Sequence, residues 1–571
     1  MITLSWLCAA LALALAPNSY AFAITGLQGG VNAATGERPI RQEISVFQYA
    51  GAAFDLYILA LQQLMQRDQA DPFSFYRIAG IHGYPHTSWD GAVGQFSNGY
   101  CPHGSILFPT WHRAYMVLFE QILSGLAQQI ASTYPESSKA TYQSAASTLR
   151  VPYWDWASET SMPDVINQPN ININTPNGSQ TIANPLYNYT FHPLPSPPDF
   201  PNVKQGKYPS TVRYPDDKGR SQPSGANAAL KHNAGGIRAT IYNLLTQVQT
   251  YAAFSNTGSN DGRTSSYNSL ENLHNAIHIL VGGNYGHMQY ISLSSFDPVF
   301  FLHHVNVDRL FAMWQAVYAD TYLTAQVDAA GTYTNTPGAS EDVTSALTPF
   351  HLDDSGTFHT SNTTRSTRAF GYTYPELLDW NMDHQILAFD VKGHINELYG
   401  PKTTASKRRS ETRLTVAEMS HDYSINVVVN GSDITSGMYV RLFLGPIPKQ
   451  ENLWSTASSL VGSHIINGPS RGLVFGQIPL TPKLINYNLS SLGSETVIPL
   501  IQKILNYRIQ SFDGRSVGVN ILPSLKFAVV SRNVTHLGPN EFPEYGPLVT
   551  YPDATKSLWP HGLHEGESMP A

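Results

Sequence analysis

The chain has 571 residues, of which 42% are hydrophobic and 11% aromatic, so it can form a large buried core and is not a disordered protein. Its formal net charge of −7 excludes the strongly basic surface that is typical of proteins that bind nucleic acid or acidic membranes. Two cysteines cannot form a disulfide framework, whereas 20 histidines offer many imidazole ligands for a metal.

Residues 1–23 have the pattern of a secretory signal peptide. An apolar run over residues 7–16 precedes Ala-Phe-Ala at 21–23, whose small-x-small form is typical of a cleavage site. No basic residue precedes the run, which leaves an ordinary apolar N-terminal helix as the alternative. No later apolar run reaches the ~18 residues that span a bilayer. The sequence therefore predicts a secreted, soluble protein in which removal of Cys8 leaves Cys101 as the one cysteine.

Six N-x-S/T triplets agree with a secretory route and are the predicted glycosylation sites, although such triplets also arise by chance in chains rich in Ser and Thr. Their acceptor residues are Asn177, Asn188, Asn362, Asn430, Asn488 and Asn533.

The first part of the chain, residues 24–400, is predicted to be a mainly helical domain. Four segments repeat apolar residues at the spacing of an amphipathic helix. They are residues 46–65, 109–130, 269–280 and 305–318. The segment between residues 167 and 224 is rich in Pro, Asn and Ser and is predicted to form long surface loops.

After residue 400 the pattern changes to short runs of strand-forming residues, which predict a smaller β-sandwich domain over residues 413–550. These runs are residues 423–429, 439–444 and 525–530. The tail, residues 551–571, is predicted to be disordered.

Residues 401–412 form a polar linker between the two predicted domains. The linker has no periodic apolar face and contains the basic triplet Lys407, Arg408 and Arg409. In a secreted protein this triplet predicts a site of proteolytic processing, and a solvated linker is the alternative interpretation.

Glu271, His274 and His278 are the strongest local signal for a metal site. Side chains four residues apart share one face of a helix, so both histidines can bind one metal with Glu271 beside them. The spacing alone is common by chance, and the order of residues differs from the H-E-x-x-H of a zinc peptidase.

Further histidines strengthen the prediction of a metal site. His303 and His304 lie in an apolar segment, where burial requires a hydrogen-bond or metal partner. His82, His103 and His112 occur upstream. Three histidines in each half predict two metals, and an all-imidazole set suits copper, zinc or iron.

These segments together resemble the type 3 copper proteins, specifically the long fungal tyrosinases, over residues 24–547. The matching segments are 80–83 (GIHG), 100–103 (YCPH), 108–113 (FPTWHR), 151–156 (VPYWDW), the pair His274 and His278, and 297–309 (DPVFFLHHVNVDR). The resemblance implies a four-helix bundle around a dinuclear copper site, followed by the β-sandwich. It assigns His82, His103 and His112 to one copper and His274, His278 and His304 to the other, and it gives His303 no metal.

The resemblance also implies roles for neighbouring residues. Cys101 is expected to form a thioether with His103, with a free thiol as the alternative. Glu271 and Asn275 are expected to hold a water that takes the proton of a phenol. Phe300 is expected to pack against the ligand imidazoles, and Asp308 and Arg309 are expected to be among the groups that orient the ligand histidines. A tyrosine motif is implied at Tyr372 and Tyr374, with Arg41 as its partner.

The implied function is oxidation of tyrosine-like monophenols and catechols to o-quinones with dioxygen as co-substrate, which leads to melanin-type pigment. The C-terminal domain resembles the cap of a latent proenzyme. Phe512 is the side chain expected to enter the substrate pocket, and an activating protease is expected to remove the cap. A catechol oxidase, a reversible oxygen carrier and a zinc-loaded structural protein remain the alternatives.

Overall fold

A computed structural model describes residues 21–159, 161–258, 267–401, 418–466, 468, 472–487, 489–564 and 566–569. The predicted signal-peptide run at 7–16, the basic triplet at 407–409 and Asn488 lie outside the described residues.

The first domain is mainly helical, as the sequence predicts. Its helices are α1 (Ile44–Phe47), α2 (Ala52–Gln66), α3 (Phe75–Gly80), α4 (Phe108–Ala131), α5 (Glu136–Thr148), α6 (Asp164–Asn167), α7 (Pro223–Gln247), α8 (Tyr251–Ser255), α9 (Leu270–Gly282), α10 (Ile291–Ser294), α11 (Val299–Val317) and α12 (His384–Tyr399). Six short strands form two-stranded antiparallel pairs: β1 (Asn170–Thr175) with β2 (Gly178–Ala183), β3 (Gln326–Asp328) with β4 (Ala339–Glu341), and β5 (Ala346–His351) with β6 (Phe358–Thr360).

The helices of the core begin and end at recognisable signals. Pro109 lies in the first turn of α4, where its missing N–H costs nothing. The Ser269 side chain caps α9 by accepting a hydrogen bond from the Asn272 backbone N–H at 3.2 Å. The same helix ends at Gly283, whose φ of +58° favours glycine. These local signals explain why α4 and α9 lie close to their predicted bounds.

Two helical predictions differ from the structure. The predicted helix at 46–65 is divided into α1 and α2, because Gly51 between them has a φ of +59°. Helix α7 was not predicted at all, since it is polar, half-exposed along much of its length and contains Gly235 and Gly236.

Packing of the long helices creates the interior of the first domain. Helix α4 packs against α2 and α11, and α9 packs against α7 and contacts α11. Helix α11 is buried on every side from Val299 to Trp314, so polar residues on it face the protein interior. Histidines on α4, α9 and α11 are thereby brought into one buried space.

The second domain is the predicted β-sandwich. Its strands are β7 (Glu418–Asn430), β8 (Met438–Leu444), β9 (Leu460–Ile466), β10 (Leu473–Pro479), β11 (Leu505–Ser511), β12 (Ser516–Val517), β13 (Lys526–His536), β14 (Glu544–Tyr545) and β15 (Val549–Tyr551), with helices α13 (Thr481–Leu484) and α14 (Ser494–Ile504). One sheet has the order β10-β7-β13-β14, with β15 also paired to β13, and the other has the order β12-β11-β8-β9. Alternate residues of β7 face the other sheet and form the core between them.

The prediction of a disordered tail after residue 551 is wrong for most of that segment. Residues Pro552–Leu558 form a 3₁₀ helix, and Leu558 and Leu563 are fully buried against the sandwich. The backbone of Phe527 on β13 exchanges hydrogen bonds with His561 and Leu563. A few apolar residues are enough to order this polar segment against the sandwich, because β13 supplies both an apolar surface and hydrogen-bonding groups.

The two domains contact each other through α7 and α9 of the first and β9 and β10 of the second. Ile279 on α9 packs against Tyr439 and Ile465 of the sandwich. No helix among the described residues is long and apolar enough to cross a membrane.

Candidate metal centre

The six predicted ligands come from separate parts of the first domain and meet in its interior. His82 follows α3, His103 lies on the loop before α4, His112 lies on α4, His274 and His278 lie on α9, and His304 lies on α11. We call His82, His103 and His112 the first trio, and His274, His278 and His304 the second trio.

The rings of the first trio face one another. Their centres are 5.5 Å apart for His82 and His103, 5.6 Å for His82 and His112, and 5.8 Å for His103 and His112. The Nδ1 atom of His82 donates to the Ile291 carbonyl oxygen at 3.2 Å, and that of His112 donates to the Phe108 carbonyl oxygen at 2.7 Å. All three Nε2 atoms are buried without a hydrogen-bond partner among the described residues. Such orphaned nitrogens are free to bind a metal.

The second trio is tighter. The Nε2 atom of His274 lies 2.9 Å from that of His278 and 3.1 Å from that of His304. The Nδ1 atom of His278 donates to the Met288 carbonyl oxygen at 2.9 Å, and that of His274 donates to the Asn275 side-chain oxygen at 3.0 Å. Backbone and amide oxygens therefore turn the Nε2 atoms of His274 and His278 toward a common point.

The two trios are adjacent. The rings of His112 and His304 are stacked with centres 4.5 Å apart, and those of His103 and His274 are 6.1 Å apart. This proximity fits the prediction of two metals that act together.

Burial keeps the imidazoles of both trios neutral. Desolvation lowers the pKa of each of these histidines, to about 4 for His103 and to about 3 for His278. Only a neutral imidazole can bind a metal, so the ligands need not lose a proton at neutral pH. Neutral imidazoles whose rings face one another, as in the first trio, or whose Nε2 atoms converge, as in the second, suit copper.

His303 lies beside the second trio. Its ring stacks on that of His274 at 5.0 Å and meets that of His278 edge-on at 4.9 Å. Neither of its ring nitrogens has a hydrogen-bond partner in the described part of the chain. Distance alone therefore leaves His303 as a fourth possible ligand, and only the family resemblance assigns it no metal.

Cys101 lies next to the predicted ligand His103. Its Sγ atom is 3.3 Å from His103 Nδ1 and donates to the His82 carbonyl oxygen at 3.0 Å. The thiol is buried, and desolvation raises its pKa. The sulfur is therefore close enough to the imidazole for the predicted cross-link but is not activated as a thiolate.

Glu271 is buried in the first turn of α9, where its carboxylate contacts residues 104 and 257. The carboxylate accepts hydrogen bonds from the Gly104 N–H at 2.8 Å, the Thr257 N–H at 2.9 Å and the Thr257 hydroxyl at 3.2 Å. Burial raises its pKa to about 7 even though these donors favour the charged form. Glu271 can therefore exchange a proton near neutral pH.

Phe300 contacts both trios, as expected. Its ring centre lies 4.1 Å from that of His304 and 4.8 Å from that of His82. This fully buried ring therefore packs against one imidazole of each trio.

Asp308 does not hydrogen-bond a ligand histidine, contrary to the expectation for it. It accepts hydrogen bonds from Arg113 at 2.6 Å and from the hydroxyls of Tyr372 and Tyr374, each at 2.6 Å. Burial opposes ionisation of this carboxyl, but Arg113 and Arg41 outweigh burial and hold its pKa below the ordinary value. Since Arg113 follows His112 in the chain, Asp308 joins α11 to α4 rather than orienting an imidazole.

Arg309 also points away from the ligands. It pairs with Glu376 at 2.5 Å and Asp155 at 3.3 Å, and it donates to the Tyr399 hydroxyl at 2.9 Å. The prediction that Asp308 and Arg309 orient ligand histidines is therefore wrong, and the carbonyl oxygens of three other residues do so. Sequence reasoning missed these three, Phe108, Met288 and Ile291, because every residue has a carbonyl oxygen.

The predicted tyrosine motif does engage Arg41. The guanidinium lies over the Tyr372 ring at 3.5 Å and donates to the Tyr374 hydroxyl at 3.1 Å. Its main carboxylate partner is Glu120, at 2.9 Å, which the sequence did not reveal.

A cavity of about 810 Å³ lies between the two domains and reaches the first trio. Its wall includes His82 and His103 from the first domain and Phe512 from the second. The half-buried Phe512 ring packs against Tyr439 at 4.8 Å, and the Phe512 carbonyl oxygen accepts a hydrogen bond from Gln289 at 2.7 Å. Phe512 therefore lines the route to the centre but has no described ring contact with a predicted ligand.

The predicted glycosylation sites that the structure describes differ in exposure. Asn177, Asn362 and Asn533 are exposed, whereas Asn188 and Asn430 are half-buried.

Comparison with known proteins agrees with this arrangement. Residues 72–317 match the family model for the common central domain of tyrosinase, and residues 422–529 match that for the tyrosinase C-terminal domain. A tyrosinase of Podospora anserina is 38% identical over 396 residues, which cover 65% of this chain and 68% of the relative. Polyphenol oxidase 2 of Agaricus bisporus is 36% identical over 365 residues, which cover 62% of this chain and 65% of the relative.

Solved structures share the architecture of both domains. A structure of latent and active mushroom tyrosinase superimposes with a TM-score of 0.82 at 28% identity, over 93% of this chain and 99% of the mushroom protein. Pro-tyrosinase of Aspergillus oryzae, at 22% identity and a TM-score of 0.71, has the same fold.

Proposed function

Because the chain belongs to the tyrosinase family, we propose that it is a copper enzyme that hydroxylates monophenols at the ortho position and oxidises the resulting o-diphenols to o-quinones. The observation that carries the proposal is the pair of adjacent buried histidine trios, whose imidazoles are neutral and whose Nε2 atoms converge. One trio would hold each copper. When bound, the two coppers supply the binding and activation of dioxygen, the co-substrate.

The chain's own residues provide for the phenolic proton. An unperturbed phenol has a pKa of about 10, so little phenolate exists at neutral pH and a nearby base helps. Glu271 is the proposed base, acting through a water, because its pKa of about 7 lets it accept a proton at neutral pH. Asn275 lies one turn further along α9 and fixes the His274 ring beside this position. The Glu and Asn pair favours a tyrosinase over a catechol oxidase without efficient monophenol activity.

Cys101 and His103 are proposed to be joined by a thioether, which would fix a ligand that lies on a loop rather than on a helix. Formation of this bond removes the thiol hydrogen and one imidazole C–H hydrogen, and dioxygen, the co-substrate, takes up these two protons and two electrons to become hydrogen peroxide. The intact mass of the mature protein tests it. A mass lower by two hydrogens is expected, and a freely alkylatable Cys101 would contradict the proposal.

The β-sandwich is proposed to keep the enzyme latent, since it closes one side of the cavity that reaches the first trio. An activating protease would cut near Lys407, Arg408 and Arg409, and loss of the sandwich would then open the cavity to substrate. Secretion, glycosylation and a role in melanin-type pigment formation complete the proposal and rest on the sequence signals and the family.

The test is an assay of the copper-loaded full-length chain with 4-propylphenol and 4-methylcatechol, before and after limited proteolysis. We expect both substrates to be oxidised and both rates to rise after cleavage. Oxidation of the catechol alone would identify a catechol oxidase, and reversible oxygen binding without turnover would identify an oxygen carrier. A His274→Gln variant, which removes one predicted ligand, is the control for copper-dependent activity.

A further inference from the structure

The interdomain cavity contains an unneutralised positive charge on its first-domain wall. Among the described first-domain residues that line it, Lys204 alone carries a formal charge at neutral pH, since the buried histidines are neutral. Lys204 forms no ion pair with any described carboxylate within 4.0 Å, and its side chain is exposed. The cation is therefore available to a molecule that enters the cavity.

Tyr285 fixes the position of this charge. The Lys204 Nζ atom lies 4.4 Å from the centre of the Tyr285 ring, a distance at which an ammonium is attracted to the ring face. Tyr285 itself is held by a hydrogen bond of 2.8 Å from its backbone N–H to the Gln289 side chain. Its φ is +69°, which is uncommon for a residue with a side chain. The turn that contains Tyr285 holds it in this conformation, and the residue lines the cavity.

The second domain contributes Asp513 and Arg515 to the wall of the same cavity. Asp513, which follows Phe512, accepts a hydrogen bond at its carbonyl oxygen from the Tyr285 hydroxyl at 3.4 Å. The Asp513 carboxylate is paired with Arg515 at 2.7 Å, so it does not neutralise Lys204. In the intact chain the Phe512 ring and the paired side chains of Asp513 and Arg515 therefore line the second-domain wall of the cavity.

We propose that Lys204, positioned by Tyr285, selects phenols whose side chain carries a carboxylate. With the sandwich removed, Asp513 and Arg515 leave together, and Lys204 is the one formal charge on the described wall that remains. A phenol that directs its hydroxyl toward the trios directs its para side chain away from them, into the cavity whose wall includes the exposed Lys204. This inference rests on the proposed phenol oxidase function and deepens it by naming the substrate class.

The test compares three para-substituted phenols of similar size: the anion 3-(4-hydroxyphenyl)propionate, the neutral 4-propylphenol and the cation tyramine. The copper-loaded full-length chain is cleaved by limited proteolysis, and kcat/KM is measured for each substrate. The variants are Lys204→Gln and Lys204→Glu. Lys207→Gln is the matched control, because Lys207 is exposed three residues further along and does not line the cavity.

In Lys204→Gln we expect the ratio of kcat/KM for the anion to that for the neutral phenol to fall about threefold to fivefold, as for an exposed ion pair. The change should lie in KM and should shrink as salt rises, because salt screens exposed charges. In Lys204→Glu the preference should pass to tyramine, and Lys207→Gln should keep the wild-type ratios.

Unchanged ratios in both Lys204 variants would overturn the inference while leaving the phenol oxidase function intact. A ratio that changes in Lys207→Gln to the same extent would overturn it as well, because the effect would then be one of general surface charge. If the wild-type chain oxidises none of the three phenols, the proposed function fails and the inference fails with it.

Discussion

The imidazole of His278 and the backbone of Met288 are joined by a hydrogen bond of 2.9 Å, from Nδ1 to the carbonyl oxygen. The next residue, Gln289, donates to the Phe512 carbonyl oxygen at 2.7 Å and to the Tyr439 hydroxyl at 2.8 Å. One short segment therefore orients a predicted ligand and also holds the second domain. Binding of the sandwich and the geometry of the centre are consequently connected through two adjacent residues.

Replacement of Gln289 by Leu should weaken the hold of the sandwich on the first domain. Loss of two hydrogen bonds at about 1 kcal/mol each should raise the dissociation constant of the cleaved sandwich at least tenfold. Size-exclusion chromatography after limited proteolysis measures the fraction that stays bound. Gln63→Leu, an exposed substitution on α2, is the control. Equal retention of the sandwich in both variants would show that Gln289 is not an anchor.

Much of the fold could be predicted because its signals are local. Helix α9 has a serine cap and a glycine end, and the strands of the sandwich are short runs of strand-forming residues. Helix α7 and the C-terminal segment could not be predicted. Their apolar residues are sparse, and only contact with distant residues, such as Leu563 with β13, makes them ordered.

The site divides in a similar way. The six histidines were predicted because their segments together match the pattern of one family, and the structure brings their rings together. The groups that orient the imidazoles are mainly backbone carbonyl oxygens, for which a sequence holds no signal. The partners of Asp308 and Arg309 were missed because a carboxylate and a guanidinium can pair with any opposite charge that the fold brings near, here Arg113 and Glu376.

A pair of variants separates His303 from His304 as copper ligands. His304→Gln should reduce the copper content from two ions per chain to one, because its Nε2 atom lies 3.1 Å from that of His274. His303→Gln should retain two, since the family resemblance assigns no metal to His303, whose ring stacks on that of His274. Copper is measured by atomic absorption after dialysis of the loaded protein. Loss of one copper from His303→Gln as well would make His303 a ligand and would contradict the assignment.

Asn275→Ala should lower turnover of monophenols more than turnover of o-diphenols. The amide oxygen of Asn275 fixes the His274 ring next to Glu271, and a monophenol, with a pKa of about 10, depends more on proton removal than a catechol does. We expect the ratio of the two rates to fall about tenfold at unchanged copper content. An equal loss on both substrates would indicate that Asn275 only supports the fold.

Glu271 should make the copper-free protein less stable as the pH rises. Burial raises the pKa of this carboxyl to about 7 in the folded chain, above its ordinary value of 4.5. The contribution of the protonated carboxyl to the free energy of unfolding is therefore fully present below pH 4.5. It falls as the pH rises from 4.5 to about 7, and it is lost above about pH 7. A shift of this size corresponds to about 3 kcal/mol at most.

The measurement is urea unfolding of the copper-free protein at pH 5 and pH 8, for the wild type and for Glu271→Gln. Glu271→Gln removes this titration, so the free energy of unfolding should decline more from pH 5 to pH 8 in the wild type than in the variant. The buried histidines act in the opposite direction, because burial lowers their pKa, but they are common to both proteins and cancel in the comparison. Glu397→Gln, an exposed substitution on α12, should follow the wild type. Parallel pH profiles for the wild type and Glu271→Gln would show that the carboxyl keeps an ordinary pKa in the folded chain.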